Sequence, residues 1–226
     1  MTIPGREAQT KIIQKFMSRG LQIVDAARVD VRGSLKFGSC VHIDINVILK
    51  GNVVIGDNVN ISPNCIIEDS VIGSGVDIKE NTTLSSATIE NDCRIGPYAR
   101  IRPGSIIGNS SHIGNFVEIK NTAMGSRCKI NHHSFVGDAQ LGQQVIIGAG
   151  TITCNFNGIT TENTIIEDQA FIGSGVQLIA PCKIGRGAFV GAGSIITKDV
   201  PAKMLALCRP REMVLKALPD EAPGNV

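Results

Sequence analysis

Aliphatic side chains recur at every sixth residue along most of this chain. Phe37, Ile43, Leu49, Ile55, Ile61 and Ile67 keep one register, followed by Ile72, Ile78 and Leu84. The beat continues through Ile89, Ile95, Ile101, Ile107, Ile113 and Ile119, then Met124, Ile130 and Val136, then Leu141 and Ile147. After an interruption it resumes at Ile166 and passes Ile172, Leu178, Ile184 and Val190 to Ile196. All 26 of these positions are apolar, and in 13 of them the next residue is glycine. Small residues, among them Cys65, Cys93, Ala99, Ser105, Cys128, Cys182 and Ser194, stand two places before the apolar one. A period of six is neither the 3.6 of an amphipathic helix nor the two of a half-buried strand. It predicts short strands joined by tight corners, each hexad sending one large and one small side chain inward. Three hexads close an 18-residue triangular coil, and four five-residue steps, such as Ile67 to Ile72, shorten particular coils. The counted hexads make eight to nine coils, a prism about 40 Å tall at about 4.8 Å per stacked strand.

Residues 5–19 break the beat and read as a helix with Ile12, Ile13, Phe16 and Met17 on one side and Gly20 as its stop. The chain thus divides into a lead-in over 1–27, a prism over 28–200 and an extension over 201–226. A Gly/Asn-rich loop over 155–164 is inserted in the prism, and the extension carries a short helix from Arg209 to Leu218 before a frayed tail. Composition agrees with a thin aliphatic core: aromatic residues make up 4% of 226 and tryptophan is absent, although 42% of the chain is apolar. A formal charge of +2 with no dense basic run argues against a nucleic-acid binder. The sequence holds no membrane-length apolar stretch, and its first residues lack the apolar centre of a signal peptide, so a soluble, cytoplasmic protein is expected. Seven cysteines, none in a CxxC pair, imply neither a disulfide framework nor a metal site.

The beat resembles that of the hexapeptide-repeat acyltransferases, and more specific strings sharpen the likeness. IGPYARIRPGS, GNFVE, VGDAQLG, GAGTITCN and FIGSGVQLIAPCKIG are similar to the acetyltransferase half of the bifunctional uridyltransferase/glucosamine-1-phosphate acetyltransferase family, roughly from Met17 to Arg209. The resemblance implies a left-handed parallel β-helix, a homotrimer with active sites between prisms, and acetyl-CoA as donor with no metal required. It implies transfer to an amino-sugar phosphate, most simply glucosamine-1-phosphate, in the pathway to the cell wall. No Gly-rich nucleotidyltransferase signature precedes the prism, so uridylyl transfer is expected of a separate partner enzyme.

Acetyl transfer from a thioester to an amine needs a base for the amine proton. The pair His132-His133 falls at a predicted corner where side chains leave the prism, and matching back from Gly137-Asp138-Ala139 puts His132 on the family's catalytic histidine. Glu118 matches an acid that would orient that base. Arg102 and Lys120 follow Ile101 and Ile119, 18 residues apart, so they stack on successive coils. Two like charges so placed repel unless an anion intervenes; in the family these positions bind the sugar phosphate. By the same match Ala149, Asn155, Phe156, Ser174, Ala192 and Arg209 fall on contacts to coenzyme A.

Three positions depart from the family. Phe135 stands for a tyrosine, Ile146 for an asparagine and Thr161 for a loop lysine, all groups that would touch the acceptor. Their loss leaves room for a different amino sugar, or for a non-catalytic ligand-binding prism. A zinc carbonic anhydrase on this scaffold would need three convergent histidines, and the four here are scattered.

Overall fold

Residues one coil apart pair in register throughout the computed structural model, which describes residues 5–208. On the first face Ile43 pairs with Ile61, Ile61 with Ile78, Ile95 with Ile113 and Ile113 with Ile130, all in parallel. Leu49, Ile67, Leu84 and Ile101 stack in the same way on the second face, and Ile55, Ile72, Ile89 and Ile107 on the third. The three ladders enclose a left-handed parallel β-helix of about ten coils. Its interior is the aliphatic column itself, with Ile43, Ile61, Ile95 and Ile130 fully buried. Each such side chain contributes about 1.5–3 kcal/mol.

The corners follow from backbone chemistry. Asn46, Asn64 and Asn81 take left-handed φ values of 61°, 62° and 60° at one corner of successive coils, a conformation that asparagine tolerates. The small inward residues hold the corners by hydrogen bonds: Ser134 Oγ donates to the carbonyls of His132 at 2.9 Å and Gly148 at 3.2 Å. Cys128 Sγ lies 3.1 Å from the Gly142 carbonyl.

The prism is longer than the eight to nine coils read from the beat. Gln22–Ile23 and Asp30–Phe37 form an earlier coil, and Leu205–Ala206 adds a later strand, so the coils reach beyond residues 28–200 at both ends. A 3₁₀ turn at Ala26–Arg28 separates Ile23 from Val31 and masks the six-residue spacing. Inside the apparent interruption, Thr153 sits in register with Leu178 and is buried like the isoleucines of that column.

Helix α1, Arg6–Met17, covers the open edge of the first coil. Ile13 is fully buried, and Ile12 and Phe16 pack on the core, whereas Met17 is exposed rather than on the packed side. Gln9 completes the cover: its Nε2 donates to the Val31 carbonyl at 3.1 Å and its Oε1 accepts from the Val31 N–H at 3.1 Å. One side-chain amide thereby replaces the strand that the edge lacks. Gly20, with φ +101°, turns the chain into the first strand. The expected helix from Arg209 to Leu218 lies outside the described residues.

Candidate active site

The corner between the first and second faces carries one vertical file of residues. Asn115 and His132 are in register on adjacent coils, and the Gly150 N–H reaches the His132 carbonyl at 3.4 Å. Backbone bonds from Gly175 to Ala149 at 2.7 Å and from Gly193 to Ser174 at 2.8 Å continue the stack. His132, Ala149, Ser174 and Ala192 therefore line one edge of the prism, with the histidine at the head.

Beside this file runs a second, and its composition changes at the same height. Tyr98 stacks on Phe116 with ring centroids 5.2 Å apart, and the His133 ring sits tilted against Phe116 at 5.7 Å. Gly150, Gly175 and Gly193 follow, with φ near +70°. Among the described residues no side chain obstructs this lower part: a Cβ on Gly150 would meet nothing closer than 3.8 Å. The edge is a smooth trough that leads up to the imidazole.

His132 Nδ1 lies 2.6 Å from Asn115 Oδ1. A shallow pocket of about 220 Å³ opens at the ring, walled by Arg94, Pro97, His112, Asn115 and Asn131 as well as His132. Burial first, then the charges of Arg94, Lys129 and His132, hold the His112 imidazole below its ordinary pKa.

The corner between the second and third faces gathers a different set. Arg102 binds Glu118 at 2.8 Å, and Arg100 stands 3.8 Å from the same carboxylate. Lys120 binds Asp138 at 3.1 Å, and Asn121 Nδ2 donates to that carboxylate at 2.7 Å. Asn155 Nδ2 donates to it as well, through a very short contact. Asp138 is almost wholly buried. Burial presses its pKa up, but the bonds from Asn121, Lys120 and Asn155 outweigh this and leave it below the usual carboxylate range.

Two expectations change in consequence. Arg102 and Lys120 do stack one coil apart, but Glu118 and Asp138 already neutralise them, so their repulsion calls for no external anion. Glu118 makes no hydrogen bond to His132; Asn115, one coil before the histidine, holds the ring instead. The donor-side residues also divide. Ala149, Ser174 and Ala192 share the trough, whereas Asn155 joins Asp138 at the other corner and Phe156, bridged to Thr161, starts the protruding loop. Phe135 faces outward on the second face and Ile146 on the first face of the next coil. Arg209 lies outside the described residues. Asn115 and Asp138 went unread in the sequence, although each stands a single coil, 17 residues, from the residue it holds.

The family described as bacterial transferase hexapeptide (six repeats) matches residues 163–198, and the GMPPB C-terminal domain matches residues 31–113. The bifunctional protein GlmU of Azoarcus sp. is 46% identical over 205 residues, covering 91% of this chain and 45% of that protein. The chain carries the hexapeptide repeat of bacterial transferases and is similar to this relative over nine-tenths of its own length. The bifunctional protein GlmU of Methylococcus capsulatus is 48% identical over 88% of this chain and 43% of its own length. The chain thus spans less than half the length of these curated relatives. The UDP-N-acetylglucosamine acyltransferase of Campylobacter jejuni is similar at 20% identity and a TM-score of 0.44, covering 81% of this chain and 70% of that one. Among the described residues no helix is long and apolar enough to cross a membrane.

Proposed function

We propose that this chain moves an acetyl group from acetyl-CoA to the amine of an amino-sugar phosphate, most simply glucosamine-1-phosphate, with His132 as general base. The observation that supports the reading most is the single file of His132, Ala149, Ser174 and Ala192, with an imidazole at the head of a trough that no described side chain obstructs. Small residues along the trough let an extended thioester arm approach the backbone. Acetyl-CoA, when bound, supplies an activated carbonyl carbon at the His132 end.

The rest is work for the chain. Asn115 Oδ1 accepts from Nδ1–H of His132, which leaves the lone pair on Nε2 of a ring that lines the pocket. As the amine nitrogen bonds to the carbonyl carbon, Nε2 takes the amine proton; the carbon–sulfur bond then breaks, and the departing thiolate takes that proton back from the imidazolium and leaves as the thiol. Arg102 and Lys120 are the resemblance's candidates for the acceptor phosphate, and a phosphate there must share them with Glu118 and Asp138. Phe135 and Ile146 give the acceptor apolar rather than polar neighbours. The homotrimer belongs to this proposal too, since Phe135 and Ile146 look out from different faces of one prism.

A thiol-release assay with acetyl-CoA against amino sugars and their phosphates tests the reading. Release that depends on an amino-sugar phosphate and vanishes in His132→Ala is the expected result. Thiol release with none of the amines tested would overturn it.

A further inference from the structure

On the first face each inward aliphatic residue is followed by a single residue before the corner, and from Ile95 to Val190 that place is glycine on five coils of six. Gly96, Gly114, Gly148, Gly173 and Gly191 hold it, and Asn131 alone brings a side chain there. The neighbouring coil explains the glycines. A Cβ on Gly114 would collide with the Asn131 carbonyl oxygen, and one on Gly148 or Gly173 would stand 2.5 Å from the backbone nitrogen of Ser174 or Ala192. The exception falls one residue before His132.

Asn131 walls the same pocket as Asn115 and His132, and Gly96 and Gly114, which precede it in the column, wall the pocket without adding a side chain. Its Oδ1 is sheltered from solvent and has no hydrogen-bond partner among the described residues. A buried carbonyl oxygen left unpaired costs free energy in the folded chain, and at a pocket wall a ligand N–H can offset that cost. Asn115 Oδ1 is already engaged by His132 Nδ1. Asn131 therefore offers a free acceptor beside the ring.

A neutral primary amine has two N–H bonds and one lone pair. When Nε2 of His132 accepts from one N–H, a second acceptor on the other leaves the lone pair free to face the acetyl carbon. We infer that Asn131 Oδ1 is that second acceptor, a further catalytic residue that holds the N–H remaining on the product amide. No proton moves to it: one amine hydrogen passes to Nε2 and the other stays on nitrogen. As the nitrogen–carbon bond forms, the nitrogen gains positive charge, so its hydrogen bond to Asn131 strengthens in the transition state. A nucleophile with one hydrogen, such as an N-methylated amine, leaves Asn131 unpaired and is disfavoured. The inference rests on His132 being the base of the proposed reaction.

Asn131→Gly gives the position the residue of its neighbours in the column, and Asn131→Asp keeps an acceptor oxygen. Both are compared with the wild type by steady-state kinetics with acetyl-CoA and either glucosamine-1-phosphate or its N-methyl derivative. Asn131→Gly is expected to lower kcat about 10- to 100-fold with both KM values nearly unchanged, and Asn131→Asp to recover most of the rate. The wild type should prefer the primary amine, and that preference should shrink about tenfold in Asn131→Gly. An Asn131→Gly variant with the wild-type kcat overturns the inference while the reaction stands. So does a loss of rate that is equal for both amines, which would mark a structural role. If Asn131→Gly does not fold, the wild type still decides, since equal rates with the two amines overturn the inference. A wild type that transfers acetyl to no amine overturns the reaction itself, and the inference with it.

Discussion

The imidazole Nδ1 of His132 rests 2.6 Å from the side-chain oxygen of Asn115, on the coil before it. That contact selects one tautomer, with the proton on Nδ1 and the basic lone pair on Nε2. Asn115→Ala should therefore lower kcat about 10- to 100-fold with little change in either KM, because it frees the ring to rotate and change tautomer. Asn115→Asp keeps the acceptor and should recover most of the rate, with the acid limb of the pH–rate profile moved upward by the new charge. His132→Ala should cost about 100-fold or more and His133→Ala far less. The reverse order would transfer the role of base to His133, whose ring sits tilted against Phe116.

Asp138 joins the two halves of the second corner, since Lys120 and Asn155 meet on its carboxylate. Its pKa is lowered in the fold, so the sign of its pH effect is fixed. The stability it contributes is complete above the unfolded value of about 3.9 and is lost as pH falls through the lower folded value. Asp138→Asn keeps a side chain that tolerates the left-handed φ of +49° at this corner but removes the charge. It should cost about 2 kcal/mol at pH 7, and the difference from the wild type should shrink in acid. Denaturant titrations at pH 7 and pH 3 measure both, and an equal loss at the two pH values would mean that the charge is not what stabilises the corner.

Gln9 is the one helical side chain that hydrogen-bonds an edge strand through both its oxygen and its nitrogen among the described residues. Gln9→Ala would leave the Val31 N–H and carbonyl unpaired in a buried place and should destabilise by about 1–3 kcal/mol. Gln9→Glu keeps one of the two bonds and should fall between. Hydrogen exchange is the sharper measurement: the Val31 amide should lose protection in Gln9→Ala while amides near Ile95 keep theirs. Equal loss at both would show that the helix covers the prism by packing alone.

The aliphatic beat was legible because burial constrains it at every step, as in the column Ile43, Ile61, Ile78. It failed where something else fills the inward slot, as Thr153 does, or where a turn lengthens the spacing, as between Ile23 and Val31. The corner file of His132, Ala149, Ser174 and Ala192 was present only as separate motif matches, and the register joined them. Outward side chains obey no such constraint. Arg102 pairs diagonally with Glu118, 16 residues on rather than a whole coil, so equal spacing suggested a repelling stack where the fold builds alternating charges.

The cysteines give a last test, of the packing rather than the chemistry. Cys65 and Cys93 fill the small inward slot, and burial pushes their thiols up to about 11. Burial also raises Cys128 and Cys182, whereas Cys40 and Cys208 are exposed. Only the thiolate reacts with an alkylating or disulfide reagent, so reactivity should follow exposure and not position in the chain. At pH 8 the native protein should give a fast phase from Cys40 and Cys208, a slower one from half-buried Cys154, and nothing from the other four until it unfolds. Mass spectrometry after brief alkylation assigns the sites. Early labelling of Cys128 would mean that the coil bearing His132 opens on that timescale, and a fixed tautomer at His132 would then lose its structural basis.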